Sequence, residues 1–273
     1  MMGFGRDLKT HKKGAIRSVS SRRNHAEHAD YGVDAPRAVR NAVIAGLTSG
    51  LLGPLSYAML GPRRRPLARM ALALGTSVGL LSLVLVGGTL WSSMVGKLRA
   101  RDRLISSIPW RGDEVVLDVG CGRRLLLIAA AKRLTVGRAV GVDIWSASDQ
   151  SGNSPQAALK NARLEGVAER VEVMDGDARR LPFEDGTFDV VLSSLVLHNI
   201  HAAAGREEAL REMVRVLKQG GHLAILDVLH TGQYARVLKE AGGLLGLEHT
   251  RPRCLFFLPA RLVLGRKVIS GTS

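Results

Sequence analysis

The chain of 273 residues is 46% hydrophobic and 23% charged, which excludes a disordered polymer and leaves room for one or two packed domains. Its two cysteines, Cys121 and Cys254, lie far apart with no metal-ligand spacing, so a disulfide-stapled secreted domain and a cysteine zinc site are excluded. The net charge of +15 is lopsided: residues 1–111 hold 18 Lys and Arg against 5 Asp and Glu, whereas residues 112–273 hold 21 against 19.

Residues 1–40 are polar and basic and are expected to form a mobile tail near anionic lipid, a mitochondrial presequence being the minority alternative. Two uncharged stretches follow, Asn41 to Pro62 and Met70 to Gly96, 22 and 27 residues long. Each reaches the roughly 20 residues that a helix needs to cross a bilayer. The second, rich in Leu and Val with Trp91 near one end, reads as a transmembrane helix. The first is interrupted by Gly46, Gly50, Gly53 and Pro54, and either spans or lies in the interface. Burial of both inside a soluble domain is the competing reading. Arg63, Arg64, Arg65 and Arg69 separate the two stretches, against nine basic residues flanking their outer ends. That balance favours a hairpin with both ends in the cytoplasm, and a single span plus an interfacial helix is the alternative. Residues 41–96 are thus taken as a membrane segment and residues 97–111 as a linker or short helix.

From residue 112 the pattern becomes short β-branched runs separated by helical stretches, the signature of an α/β domain with a parallel sheet. Strands are expected at Val115 to Val119, Arg138 to Asp143, Arg170 to Met174, Phe188 to Ser193 and Gly221 to Val228, with two more between Leu247 and Ile269. Helices are expected over Arg124 to Leu134, Pro155 to Glu165 and Arg206 to Leu217, the second capped by Ser154.

Four motifs carry chemistry. VVLDVGCG, residues 115–122, places Asp118 near a strand end and Gly120 and Gly122 in the turn before a helix, where bare backbone lets a ligand approach. GVDIW ends the second strand on Asp143, followed by Ile144 and Trp145; then come DGDARRLPFEDGTFDVVLSSLVLHN and VLKQGGHLAILDV. A dinucleotide fingerprint would need Gly or Ala five residues after Gly120, where Leu125 stands, so a nicotinamide enzyme is disfavoured.

In these motifs residues 100–269 resemble the class I S-adenosylmethionine-dependent methyltransferases, within them the ubiquinone/menaquinone C-methyltransferase-like group. The resemblance implies a Rossmann-like, seven-stranded sheet and S-adenosyl-L-methionine as cofactor. It assigns Asp118, Gly120 and Gly122 to the methionine end, Asp143 with Ile144 to the ribose and its surroundings, and Gly176, Asp177 and Ala178 to the adenine. Ser193 to His198 would border cofactor and acceptor. Carboxylates suit these tasks because the hydroxyls and amines they meet are donors.

Methyl transfer needs alignment and, for some acceptors, a base. His198 is the candidate base for a phenol or an enolizable carbon, against the alternative of a histidine that only bonds backbone; Asn199, His201, Asp227 and His230 are weaker candidates. Trp145 is expected to stack near the adenine, or its loop to be merely solvated. Cys121 is read as a packing residue, and Arg179 and Arg180 as a solvated face. The family's third loop glycine is replaced by Arg124, beside a cationic cofactor. The reading is a membrane-anchored methyltransferase with a cytoplasmic catalytic domain, acting on a small or lipid-soluble acceptor and touching membrane lipid. The alternatives are a non-catalytic membrane protein with a degenerate domain and, disfavoured, a nucleic-acid methyltransferase.

Overall fold

The computed structural model describes residues 29–31, 36–60, 62–123, 125–146, 152–253 and 259–268. Arg124, the loop residues Asp149, Gln150 and Ser151, and Cys254 lie outside the described residues.

The chain first builds a helical hairpin from α1 (Pro36–Met59) and α2 (Arg65–Trp91), joined by a short 3-10 turn. Glycine sets how closely they approach. A Cβ on Gly75 would lie 2.5 Å from the Ser49 carbonyl, one on Gly53 3.2 Å from the Ala71 carbonyl, and one on Gly46 2.9 Å from the Ser82 side chain. These pairs run antiparallel, small residue against backbone. Nearly every large side chain points away from that seam, so Leu51, Leu74 and Leu83 are about 70% exposed.

At Trp91 the helix passes through a π-helical turn, Ser92–Gly96, into α3 (Lys97–Ser106). Of the two readings of residues 97–111, residues 97–106 take the helical one, and Ala100, Leu104 and Ile105 are buried against the following domain.

The domain is a seven-stranded sheet in the order β3-β2-β1-β4-β5-β7-β6. Its strands are β1 (Val115–Val119), β2 (Arg138–Asp143), β3 (Val171–Asp175), β4 (Phe188–Ser194), β5 (Leu217–Asp227), β6 (Leu244–His249) and β7 (Arg261–Lys267). The first five are parallel, whereas β7 inserts antiparallel between β5 and β6, making the sheet mixed. Helices α4 (Leu125–Ala131), α5 (Pro155–Leu164), α6 (Ala203–Val216) and α7 (Thr231–Glu240) complete it. The parallel strands are apolar on both sides because each face is covered: one core contains Leu104, Leu127 and Leu192, the other Leu117, Leu210 and Met213. Ser154 caps α5 as expected, its hydroxyl accepting from the Ala157 N–H at 3.2 Å with Pro155 beginning the helix.

Several expected boundaries moved, among them α6, which begins at Ala203 rather than Arg206, and β6, which begins at Leu244 rather than after Leu247. Helix α4 ends at Ala131, because residues 132–134 close as turns onto Ile128, Ala130 and Ala131. Strand β5 begins at Leu217, four residues early, through a register shift between Phe188 and Val190 that admits the Gly220–Gly221 pair.

Candidate active site

A cavity of about 530 Å³ opens at the carboxyl ends of β1, β2 and β4. In the parallel register Asp118 lies beside Gly141, and Asp143 beside Asp175, so the polar ends of successive strands reach one edge. The three non-glycine residues with left-handed backbone among those described follow these strands: Trp145 (φ 57) after β2, Leu195 (φ 60) after β4 and His230 (φ 59) after β5. Each costs about 1–2 kcal/mol. Such strain gathers where turns are held for a site.

The glycine turn is tightly determined. Gly120 sits at φ 75, its N–H donates to the Val142 carbonyl at 2.7 Å, and any Cβ there would collide with Val196. Cys121 is buried, and a Cβ on Gly141 would lie 2.7 Å from its sulfur, so it packs as a small residue. Asp118 is also buried and lines the cavity, and its Oδ2 accepts no hydrogen bond from the described residues. Burial, then the charge of Asp143, raises its pKa to about 8.

Asp143 receives three bonds. Gly122 N–H donates to Oδ2 at 2.8 Å, and Trp145 N–H and Asn153 Nδ2 donate to Oδ1 at 2.6 and 3.3 Å. The Asn153 Oδ1 is buried in the same place without a donor. Two acceptors with remaining capacity, Asp143 and Asn153, thus stand where two neighbouring hydroxyls could donate.

Further along the edge lie Ile144, Gly176, Asp177 and Ala178. Ile144 is 68% exposed and supplies an apolar platform. Trp145 does not line the cavity: its left-handed turn directs the indole N–H to Asp175 Oδ1 at 2.5 Å. Of the two readings for Trp145, the stacking one is not met; Ile144 is the neighbour that lines the cavity. Asp177 is engaged by Arg179 through side chain and backbone, which holds its carboxyl below the usual range. Arg179 is thus half of a carboxylate pair and not simply a solvated side chain.

Ser193 is a correction. It is buried and donates to the Val119 carbonyl at 3.0 Å, tying β4 to β1, and the cavity is met by Ser194 instead. Side chains alternate along a strand, so adjacent serines serve opposite sides. Beyond them a 3-10 turn, Leu197–Asn199, presents His198 to the cavity. Its Nδ1 lies 2.6 Å from Oδ1 of Asp227, and its N–H donates to Oδ2 at 3.1 Å. Asp227 is 1% exposed and also accepts from the Tyr234 hydroxyl at 3.2 Å and the Val228 N–H at 2.8 Å. A buried carboxylate thus fixes the ring and keeps the proton on Nδ1, so Nε2 is the basic nitrogen. Arg206, itself buried, holds the same turn through the carbonyls of Ile200 and His201. His201 and His230 do not line the cavity.

The opposite wall was not expected from sequence. Thr89 and Ser92 from the end of α2, Lys97 and Arg101 from α3, and Tyr31 from the N-terminal arm all line the cavity. Asp30 and Tyr31, among the few described residues of this segment, are docked on the domain. Asn161 bonds both the N–H and the carbonyl of Asp30, at 3.0 and 2.7 Å, and also reaches the Arg123 carbonyl in the glycine turn. Asp30 pairs with Arg123 at 2.9 Å, and Tyr31 donates to Glu165 at 2.8 Å. Only α1 and α2, lying between residue 31 and α3, separate these groups in sequence, so no local pattern announces them.

A glycine turn after the first parallel strand, with carboxylates ending its neighbours, defines a nucleoside-binding Rossmann-like domain. Residues 117–225 match the family described as Methyltransferase domain. The ubiquinone/menaquinone biosynthesis C-methyltransferase UbiE of a Ruegeria species is 32% identical over 127 residues, 46% of this chain and 47% of that protein. Demethylmenaquinone methyltransferase of Lactiplantibacillus plantarum is 34% identical over 134 residues, 49% of this chain and 53% of that one. The chain spans about half the length of these relatives. The crystal structure of the cyclase SpnF matches with a TM-score of 0.53 at 21% identity, covering 63% of this chain and 82% of that one, a likeness of fold. The match to a methyltransferase domain over residues 117–225, on this fold, makes S-adenosyl-L-methionine the cofactor to set against the site.

The residues present fit that cofactor. The unpartnered Asp118 oxygen suits an ammonium, the Asp143 and Asn153 acceptors suit a ribose, and Ile144 suits a flat base. Arg179 occupies the Asp177 carboxylate, so an adenine amine would have to share or displace one of its bonds.

Proposed function

We propose that the protein is a membrane-anchored methyltransferase that moves a methyl group from S-adenosylmethionine to a small, lipid-soluble acceptor. The observation that carries this reading is the shared cavity: one wall is made of strand ends with cofactor-type acceptors, the other of the last turn of an apolar helix and its continuation. Both hairpin helices are long and apolar enough to cross a membrane, and few of their residues are buried.

The bound cofactor supplies an electrophilic methyl on a sulfonium. Asp118 offsets the cofactor's ammonium, Asp143 with Asn153 holds the ribose, and Gly120 and Gly122 let it lie against backbone. His198 accepts the acceptor's proton at Nε2 while Asp227 stabilises the resulting imidazolium from Nδ1. Tyr234 and Arg206 hold that pair in place and touch no reacting atom.

The test is transfer of radiolabelled methyl from S-adenosylmethionine into the organic-soluble fraction of a bacterial lipid extract by the full chain in detergent. The reading requires label in that fraction and its loss in His198→Ala. Label confined to water-soluble material would contradict the lipid-soluble acceptor, and absence of any transfer across both fractions would contradict the activity.

A further inference from the structure

We propose that Asn161 is a positioning residue: it straps the segment Asp30–Tyr31 over the cofactor end of the cavity and ties that strap to the glycine turn, so that the strap governs how long S-adenosylmethionine stays bound. This rests on the methyltransferase reading and adds a part to its cofactor site. Asn161 faces inward from α5 and is 2% exposed, an uncommon place for an amide. All three bonds of that amide go to segments remote in sequence. Its Oδ1 accepts from the Asp30 N–H at 3.0 Å, and its Nδ2 donates to the Asp30 carbonyl at 2.7 Å and to the Arg123 carbonyl at 3.1 Å. Both amide hydrogens are thus committed, one to the strap and one to the glycine turn. A buried amide needs partners, and here the partners are the two segments it joins.

A second path runs through side chains. Asp30 Oδ2 pairs with Arg123 Nη2 at 2.9 Å, and the arginine side chain is 13% exposed. A Cβ on Gly152 would lie 3.3 Å from Arg123 Nη1, so the guanidinium sits between the strap and the residue before Asn153. Gly122, next to Arg123, donates to Asp143, and so does Asn153. The strap therefore bears on both groups that flank the ribose acceptor. Tyr31 packs against the core and lines the cavity, its hydroxyl donating to Glu165 at 2.8 Å and its carbonyl accepting from Lys97 at 3.3 Å.

This fastening is of a kind that can lift. Residues 29–31 belong to no helix or strand, and the backbone groups of Asp30 and Tyr31 are met by the side chains of Asn161 and Lys97 instead of a ladder. The Asp30 carboxylate is 73% exposed, so solvent screens its ion pair. Five residues beyond Tyr31, α1 begins at Pro36, a reach of at most about 18 Å. A lifted strap stays close to its seat and recloses at high effective concentration.

The experiment uses the full chain in a neutral maltoside detergent. S-adenosylmethionine affinity is measured by calorimetry, its dissociation rate by chase with unlabelled cofactor, and amide hydrogen exchange of the peptide carrying Asp30 and Tyr31 by mass spectrometry. In the parent, saturating S-adenosylmethionine should slow exchange in that peptide about tenfold or more. Asn161→Asp sets a carboxylate oxygen against the two carbonyls that the amide donates to, and should weaken binding about tenfold, chiefly through faster dissociation. Asp30→Pro deletes the N–H that Asn161 accepts, and it does so from outside the domain, so it reports on the strap even where Asn161→Asp fails to fold; the same tenfold loss is expected. Arg37→Gln, beyond the strap, should stay within about twofold of the parent. Unchanged affinity in Asp30→Pro, or exchange at Asp30 and Tyr31 that ignores S-adenosylmethionine, would overturn the strap and leave the methyltransferase reading standing. An equal loss in Arg37→Gln would overturn it in favour of a general disturbance of the N-terminal segment. A parent chain that binds no S-adenosylmethionine would strike the methyltransferase reading and the strap with it.

Discussion

Leu117, Leu127, Leu192 and Leu210 of the Rossmann-like domain are fully buried, whereas Leu47, Leu51, Leu74 and Leu83 of the hairpin are 63–71% exposed. The same side chain is therefore used in two ways. In the domain it drives packing between sheet and helices, and its removal leaves a cavity. In the hairpin the packed seam is made of Gly46, Gly53, Gly75 and Ser82, and leucine faces outward. Small residues at the helix contact with apolar ones outside is the arrangement expected where lipid is the solvent. The two regions meet in the cavity, where strand ends supply acceptors, the end of α2 supplies Thr89, and its continuation α3 supplies Lys97 and Arg101.

The largest expected effect lies on the catalytic side. Asp227→Asn removes the group that fixes the His198 tautomer, and turnover should fall on the order of 100-fold to 10,000-fold with S-adenosylmethionine affinity nearly unchanged. A loss below about threefold would mean that His198 has no proton to move. Next, Leu127→Ala should destabilise the domain by about 2–5 kcal/mol in chemical unfolding. Leu74→Ala, on the exposed face of α2, should stay within about 0.5 kcal/mol in the same assay. Equal costs at the two sites would erase the distinction between the regions.

A charge on the hairpin tests the same distinction from the lipid side. Leu81→Arg, at a residue 59% exposed on α2, should disfavour membrane insertion by about 2.5–3.5 kcal/mol and shift the protein toward the soluble fraction after alkaline extraction. Unchanged partitioning would place that face in water.

The smallest effect concerns Asp118, whose pKa of about 8 exceeds the ~3.9 of a free carboxyl. Between those values the folded chain holds a proton that the unfolded chain has released. This group therefore lowers stability as pH rises from about 4 to about 8, and its effect is complete above that. Unfolding midpoints measured from pH 6 to 8 should decline less steeply in Asp118→Asn than in the parent, and parallel curves would contradict the assignment.

The strand-end wall was largely legible in the sequence because most of its residues sit at or just after a strand end, in motifs of glycine and acid, with His198 following in the turn after β4. Asp118, Gly120, Gly122, Asp143, Ile144, Gly176, Asp177, Ala178 and His198 all reach the cavity. Ser193 failed on parity alone, since only the register of β4 against β1 decides which of two adjacent serines faces inward. Trp145 failed because a left-handed backbone reversed its direction, a conformation not expected of a tryptophan. The membrane-side wall was hidden for another reason. Asp30 and Tyr31 arrive through contacts with Asn161 and Glu165 some 130 residues away, and Lys97 and Arg101 arrive because α2 continues through a π-helical turn into α3. The seven strands were foreseen from their apolar runs, but not the insertion of β7 between β5 and β6, which depends on pairing rather than pattern.

The most direct test of the account is calorimetric binding of S-adenosylmethionine to the full chain in neutral detergent, with Asp143→Ala as the paired variant. Micromolar affinity in the parent and a loss of about 100-fold, near 2.7 kcal/mol, in the variant is the predicted result. A folded parent that binds no S-adenosylmethionine, or a variant that binds it equally well, would contradict the assignment of the strand-end carboxylates to this cofactor.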